Sequence, residues 1–129
     1  MSEPQSQHLR CPVLVLRINE SQVKGDSLAD ALRDELLAAY VQSNAHHVVV
    51  DFQKVIYLSS AGFRPLLSLV RQVRSRQGRL VLCGLSPEVH EVFTVTRLIG
   101  TAGSAPATFD VEADVPAAVA WLYREHSIP

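Results

Sequence analysis

Hydrophobic residues along this chain change period several times, and each change marks an element. Val13 to Ile18 is rich in β-branched and aliphatic residues and predicts a first strand, followed by a polar connector from Asn19 to Gly25. Leu28, Leu32, Leu36 and Tyr40 then recur every four residues, with Ala29, Ala31 and Ala39 between them. That spacing predicts an amphipathic helix, capped by Asp26 or Ser27 and ended by Asn44. From His46 to Asp51 the apolar run is continuous, which predicts a strand buried on both faces. A second short apolar run, Val55 to Leu58, ends in Ser59, Ser60, Ala61 and Gly62.

A helical period follows from Phe63 to Arg76, with Leu66, Leu69, Val70 and Val73 on one stripe, and Gln77-Gly78 supplies a stop signal. Pro65 falls inside the first turn if the helix begins at Ser60, so that turn is expected to be tightened or 3₁₀-like. Arg79 to Cys83 predicts a third strand. Ser86 and Pro87 open another helix as N-cap and first helical residue, with Val89, Val92, Phe93 and Leu98 facing inward. After a loop of small residues from Thr101 to Pro106, Ala107 to Val111 reads as a short edge strand. Asp114, Val115 and Pro116 open a last helix that reaches about His126.

Strands that alternate with helices imply βαβ crossovers. The expected architecture is a single α/β domain, 10–129, preceded by a flexible polar tail over residues 1–9. Its sheet should be mixed and mostly parallel, of about four to five strands. Each helix has one apolar stripe, which places the helices mainly on one face of the sheet.

Composition narrows the function classes. The 129 residues suit one core, and 47% hydrophobic with 19% charged residues is a globular balance. A net charge of −1 gives no overall pull toward nucleic acid. The N-terminal stretch has no apolar core of the signal-peptide kind, and no apolar run approaches the roughly 20 residues of a membrane span. A cytoplasmic protein without membrane insertion is therefore expected. Cys11 and Cys83 lie in apolar strand-like runs and are read as buried, unpaired thiols. His8, His46, His47, His90 and His126 lack metal-ligand spacing, and neither a nucleophile elbow nor a P-loop occurs, so no metal, cofactor or catalytic residue is assigned.

The chemistry that remains sits at the mouth of the helix after Leu58. A helix N-terminus offers free N–H groups and the positive end of its dipole, so a serine there can cap the helix or carry a phosphate. Ser60 is the candidate acceptor, with Ser59 as the alternative cap or acceptor. Arg64, one turn further on, either pairs with such a phosphate or is an ordinary surface arginine. Lys54, Arg71, Arg74, Arg76 and Arg79 add positive charge to the same half of the chain, as a contact patch for an acidic partner or as a solvated face.

The segment D-F-Q-K-V-I-Y-L-S-S-A-G with its long helix, and then R-L-V-L-C-G-L-S-P-E-V-H-E-V-F-T-V-T-R-L, resemble the STAS domain, the fold of bacterial anti-sigma-factor antagonists. The resemblance runs from about Val13 to Arg124. The family motif reads aspartate, serine, serine or threonine, glycine, and its middle serine is phosphorylated by the cognate anti-sigma kinase. By position, Ser60 matches the phosphorylated serine, Gly62 the glycine, and Asp51 an acidic residue common at the end of the preceding strand. Ser59 stands where the family has aspartate and Ala61 where it has serine or threonine. The family's G-E-L-D motif is replaced by N-E-S-Q-V-K-G-D.

The resemblance implies a regulatory binding module and not an enzyme. Its partner would be an anti-sigma factor or a related serine kinase, meeting a surface of Ser59, Ser60, Ala61, Gly62, Arg64 and Ser68. The alternative is a non-phosphorylated scaffold or transport-associated subunit that uses the same fold for assembly.

Overall fold

The computed structural model describes residues 13–96 and 109–125, with nothing of Glu125 beyond its backbone. The elements run β1 (Val13–Arg17), β2 (Gln22–Val23), α1 (Asp26–Gln42), β3 (His47–Asp51), β4 (Tyr57–Leu58), a 3₁₀ turn (Ser60–Gly62), α2 (Phe63–Ser75), β5 (Leu80–Cys83), α3 (Pro87–Val95), β6 (Asp110–Glu112) and α4 (Val115–Glu125). The expectations placed on the tail, Cys11, Leu98, the 101–106 loop and His126 lie outside the described residues.

The main sheet has the order β1-β3-β5-β6, and β2 pairs with β4 in a separate two-stranded sheet. Every pairing among the described residues is parallel. Strand β3 is central, with Val49 opposite Val15 on one side and Val81 on the other. All five of its residues are buried. The reason is that both faces are covered. Val48, Val50, Leu80 and Leu82 join the large core under α1, α2 and α3, whereas Val49, Val81 and Cys83 meet Ala118 and Leu122 of α4. Three helices thus share one face and α4 takes the other.

Several local expectations shift. Helix α1 starts at Asp26 with Gly25 in the cap position at φ 86°, and no side chain caps it, so neither Asp26 nor Ser27 is the N-cap. Ala29 is buried while Leu28 is half-buried, because Ala29 lies nearer than Leu28 to the centre of the stripe of Leu32, Leu36 and Tyr40. The helix ends at Gln42, and Ser43 rather than Asn44 forms its C-cap. Val55 and Leu58 are buried, while Ile56 and Tyr57 are 61% and 50% exposed. Strand β6 sits one to three residues later than expected. Ser86 caps α3 as expected, accepting the Val89 N–H at 3.2 Å.

Two arginines assigned to a possible contact patch are used to hold the fold. Arg76 lies 4.5 Å over the Tyr40 ring and donates to the Tyr40, Val41, Ser43 and Ala45 carbonyls, which closes the C-terminal end of α1. Arg79 pairs with Asp110 at 3.2 Å and lies 5.8 Å over Trp121. The stop at Gln77-Gly78 also has a physical cause. Gln77 adopts φ 62°, and a Cβ on Gly78 would collide with the His46 carbonyl. His47, buried beside it, accepts the Arg79 backbone N–H on Nδ1 at 3.0 Å, which commits that ring nitrogen to the sheet.

Candidate functional site

The site is built where the small sheet delivers the chain to α2. The Ile56 and Tyr57 N–H groups both donate to the Ser21 carbonyl, and the Ser59 N–H donates to the Val23 carbonyl at 2.9 Å. Strand β2 therefore holds Ser59 in place. Gly62 then packs so closely that a Cβ would meet the Leu58 side chain and the Val23 carbonyl, which accounts for a glycine at this position. Below it, the Phe93 ring meets Phe63 edge-on at 5.1 Å, with Phe52 and Phe109 at 6.0 and 5.9 Å. This aromatic cluster anchors the first residue of α2.

The mouth is a 3₁₀ turn, not the first turn of an α-helix. Its cap position is Ser59, the cap position of α2 is Gly62, and neither start carries a side-chain cap hydrogen bond. The reading of Ser60 as a capping hydroxyl is thereby corrected. The turn leaves Ser60 exposed as its first residue, so the side chain points the serine to solvent rather than back along the helix. The same offset explains Pro65. It becomes the third residue of α2, where its missing N–H is one the helix would leave unpaired anyway. The expected tightening of this turn is what the structure has.

Ser59 contributes differently. Its Oγ is buried and has no hydrogen-bond partner among the described residues. Arg64 is engaged, with Nη2 2.8 Å from Asp26 Oδ1, in a pair whose side chains are 52% and 85% exposed. Asp26 was not among the expected site residues. The separation of 38 positions between the two leaves no local sequence signal for the contact.

Of the expected site residues, Ser60 and Arg64 are exposed on this surface, Ser59, Ala61 and Ser68 are half-buried, and Gly62 is buried. Asp51 is not part of that surface. It is 3% exposed at the end of β3, where Oδ2 accepts Arg17 Nε at 3.1 Å and Oδ1 accepts the Gln53 N–H at 2.9 Å. It borders a separate depression of about 290 Å³ with Arg17, Gly84 and Asp114. Cys83, also at that end of the sheet, is a free and fully buried thiol. Burial pushes its pKa up to about 12, and the nearby carboxylates of Asp51 and Asp114 add to the shift. Among the described residues, no group of three His, Cys, Asp or Glu side chains is placed to hold a metal ion. None of the described helices is long and apolar enough to cross a membrane.

The arrangement defines a class. A parallel sheet with three helices on one face and one on the other, and a serine turn ahead of the second helix, is the STAS architecture. The STAS domain family model matches residues 12–112, and the chain belongs to this family.

Among individual relatives, a candidate anti-sigma factor antagonist from Bordetella bronchiseptica, BtrV, is 46% identical over 68 residues. That match spans 53% of this chain and 58% of the relative's own length. In structure, the chain is similar to the anti-sigma factor antagonist SpoIIAA in its unphosphorylated form. The TM-score is 0.59 at 17% identity, over 90% of this chain and 91% of the other. It is also similar to the murine Solute Carrier 26 family member A9 anion transporter, with a TM-score of 0.66 at 14% identity, over 84% of this chain but 17% of the transporter. At such identities the structural likeness establishes the fold.

Proposed function

We propose that this STAS domain is a cytoplasmic regulatory binding module of the anti-sigma-factor-antagonist type, switched by phosphorylation of Ser60. The observation that carries the reading is the 3₁₀ turn. It leaves Ser60 exposed, and the apolar pair Ile56 and Tyr57, exposed as well, precedes it by three to four residues. Apolar side chains next to a modifiable hydroxyl suit a contact that a charge can break, since a phosphate adds about −1.5 to −2 charges at neutral pH. The similarity to BtrV supports the same assignment.

The domain itself would catalyse nothing. A partner serine kinase would supply the γ-phosphoryl group of ATP, the Ser60 Oγ would take it as its proton leaves, and ADP would depart with the partner. The test is incubation with the anti-sigma kinase encoded nearest this protein, with phosphate mapped by mass spectrometry and binding measured by calorimetry. Phosphate is expected on Ser60. Ser60→Asp should weaken binding by about tenfold or more, and Ser60→Ala should keep it within about twofold. Equal binding by Ser60→Asp would favour the scaffold or transport-associated reading, for which the transporter's STAS-like fold is the structural precedent.

A further inference from the structure

We infer that Asp26 and Arg64 form an exchangeable ion pair whose state is set at Ser60. A phosphate on Ser60 would take the Arg64 guanidinium away from Asp26, leaving the Asp26 carboxylate bare beside it. This rests on the phosphoserine reading above and adds how the surface would change.

The residues are placed for the exchange. Arg64 follows Ser60 by four residues across the junction of the 3₁₀ turn and α2, and both residues are exposed. Strand β2, which leads into Asp26, is tied to the serine turn by the Ser59 N–H to Val23 carbonyl bond, and the turn packs against α1 itself. The present pair is a single contact between two side chains more than half exposed, so water screens it strongly. A phosphate dianion offers the guanidinium twice the charge and a two-pronged geometry that Asp26 does not give it here.

Asp26 also tolerates release. It is the first residue of α1, where the helix dipole favours a carboxylate without any arginine. Lys24, exposed just after β2, puts a second cation two residues before Asp26. The partner would therefore read two changes at once, a phosphate at position 60 and an unpaired carboxylate at position 26.

The experiment uses the full chain with phosphoserine placed at position 60 during translation, so no kinase is required. Phosphorus NMR follows the second phosphate ionisation, and carbon NMR follows the Asp26 carboxyl. The fold of each variant is checked from its amide spectrum. In the parent chain, phosphorylation should shift the Asp26 titration. In Arg64→Gln the shift should shrink to what direct repulsion by the phosphate causes, and the phosphate should titrate about half a unit higher. Asp26→Asn should leave the phosphate titrating at or below its value in the parent chain. An Asp26 titration unmoved by phosphate, or a phosphate unmoved by Arg64→Gln, would overturn the inference. Exchange without kinase recognition would instead remove the partner reading and leave the ion-pair exchange standing.

Discussion

Arg76 stacks 4.5 Å above the ring of Tyr40 while its Nη1 reaches the Ala45 carbonyl at 3.2 Å. One side chain at the end of α2 thus closes α1, whose last carbonyls have no partners within the helix. The two helices that frame the serine turn are locked at their far ends. Arg76→Ala should cost about 1–3 kcal/mol in urea unfolding, because several carbonyls lose a charged donor. Arg76→Lys should recover only part of it, since an ammonium cannot fork across four carbonyls or stack as a plane. A loss below about 0.5 kcal/mol for the alanine variant would show that water replaces the guanidinium without penalty.

Two glycines should respond in a fixed order. Gly78→Ala drives a methyl group into the His46 backbone carbonyl, which cannot move without disturbing β3. A loss of about 3 kcal/mol or more is expected. Gly25→Ala meets no atom within 4 Å but must hold φ 86°, so about 1 kcal/mol is expected. Denaturant midpoints of both variants measure this, and the reverse order would refute the close approach at Gly78.

The Cys83 thiol should be silent in the folded protein. Its folded pKa is raised from 9.0 to about 12 by burial and by Asp51 and Asp114. A raised pKa favours the protonated, folded form. Its contribution to stability is therefore complete below about pH 9 and is lost as the pH climbs toward 12. In a Cys11→Ser background, a disulfide reagent at pH 8 should react with Cys83 only on unfolding, and stability should fall at alkaline pH more than in a Cys83→Ala partner variant. Rapid labelling of the native protein at pH 8 would contradict this placement.

Ser59 and Ser60 should behave unlike helix caps. A capping serine loses about 1 kcal/mol on replacement by alanine. The Ser59 Oγ is buried with no partner among the described residues, so Ser59→Ala removes an unmet desolvation cost and should be neutral or stabilising by up to about 1 kcal/mol. Ser60→Ala, at an exposed hydroxyl with no capping bond, should stay within about 0.5 kcal/mol of the parent. Thermal unfolding of the two variants decides the point, and a clear loss in either would restore the capping role.

Much of this molecule was legible in its residue pattern, for a physical reason. Burial on two faces removes every polar position from a strand, so V-V-V-D announced the central β3 without any knowledge of its neighbours. One-sided burial spaces apolar residues at the helical period, so Leu66, Leu69, Val70 and Val73 were the inner stripe of α2 before its partners were known. Ser86-Pro87 acts through its own backbone and needed no context.

The serine turn is different. Pro65 signalled an irregular start, but where α2 begins depends on Val23 and Phe93, which hold Ser59, Gly62 and Phe63 from other parts of the chain. That long-range grip turned an expected capping serine into an exposed one. Arg64, Arg76 and Arg79 looked alike as sequence, as long flexible cations on solvated positions. Their partners, Asp26, the end of α1 and Asp110, lie 38, 31 to 36, and 31 residues away. Apolar burial is written into local periodicity because each side chain contributes to it alone. Charge pairing needs two groups to meet, and only folding brings them together.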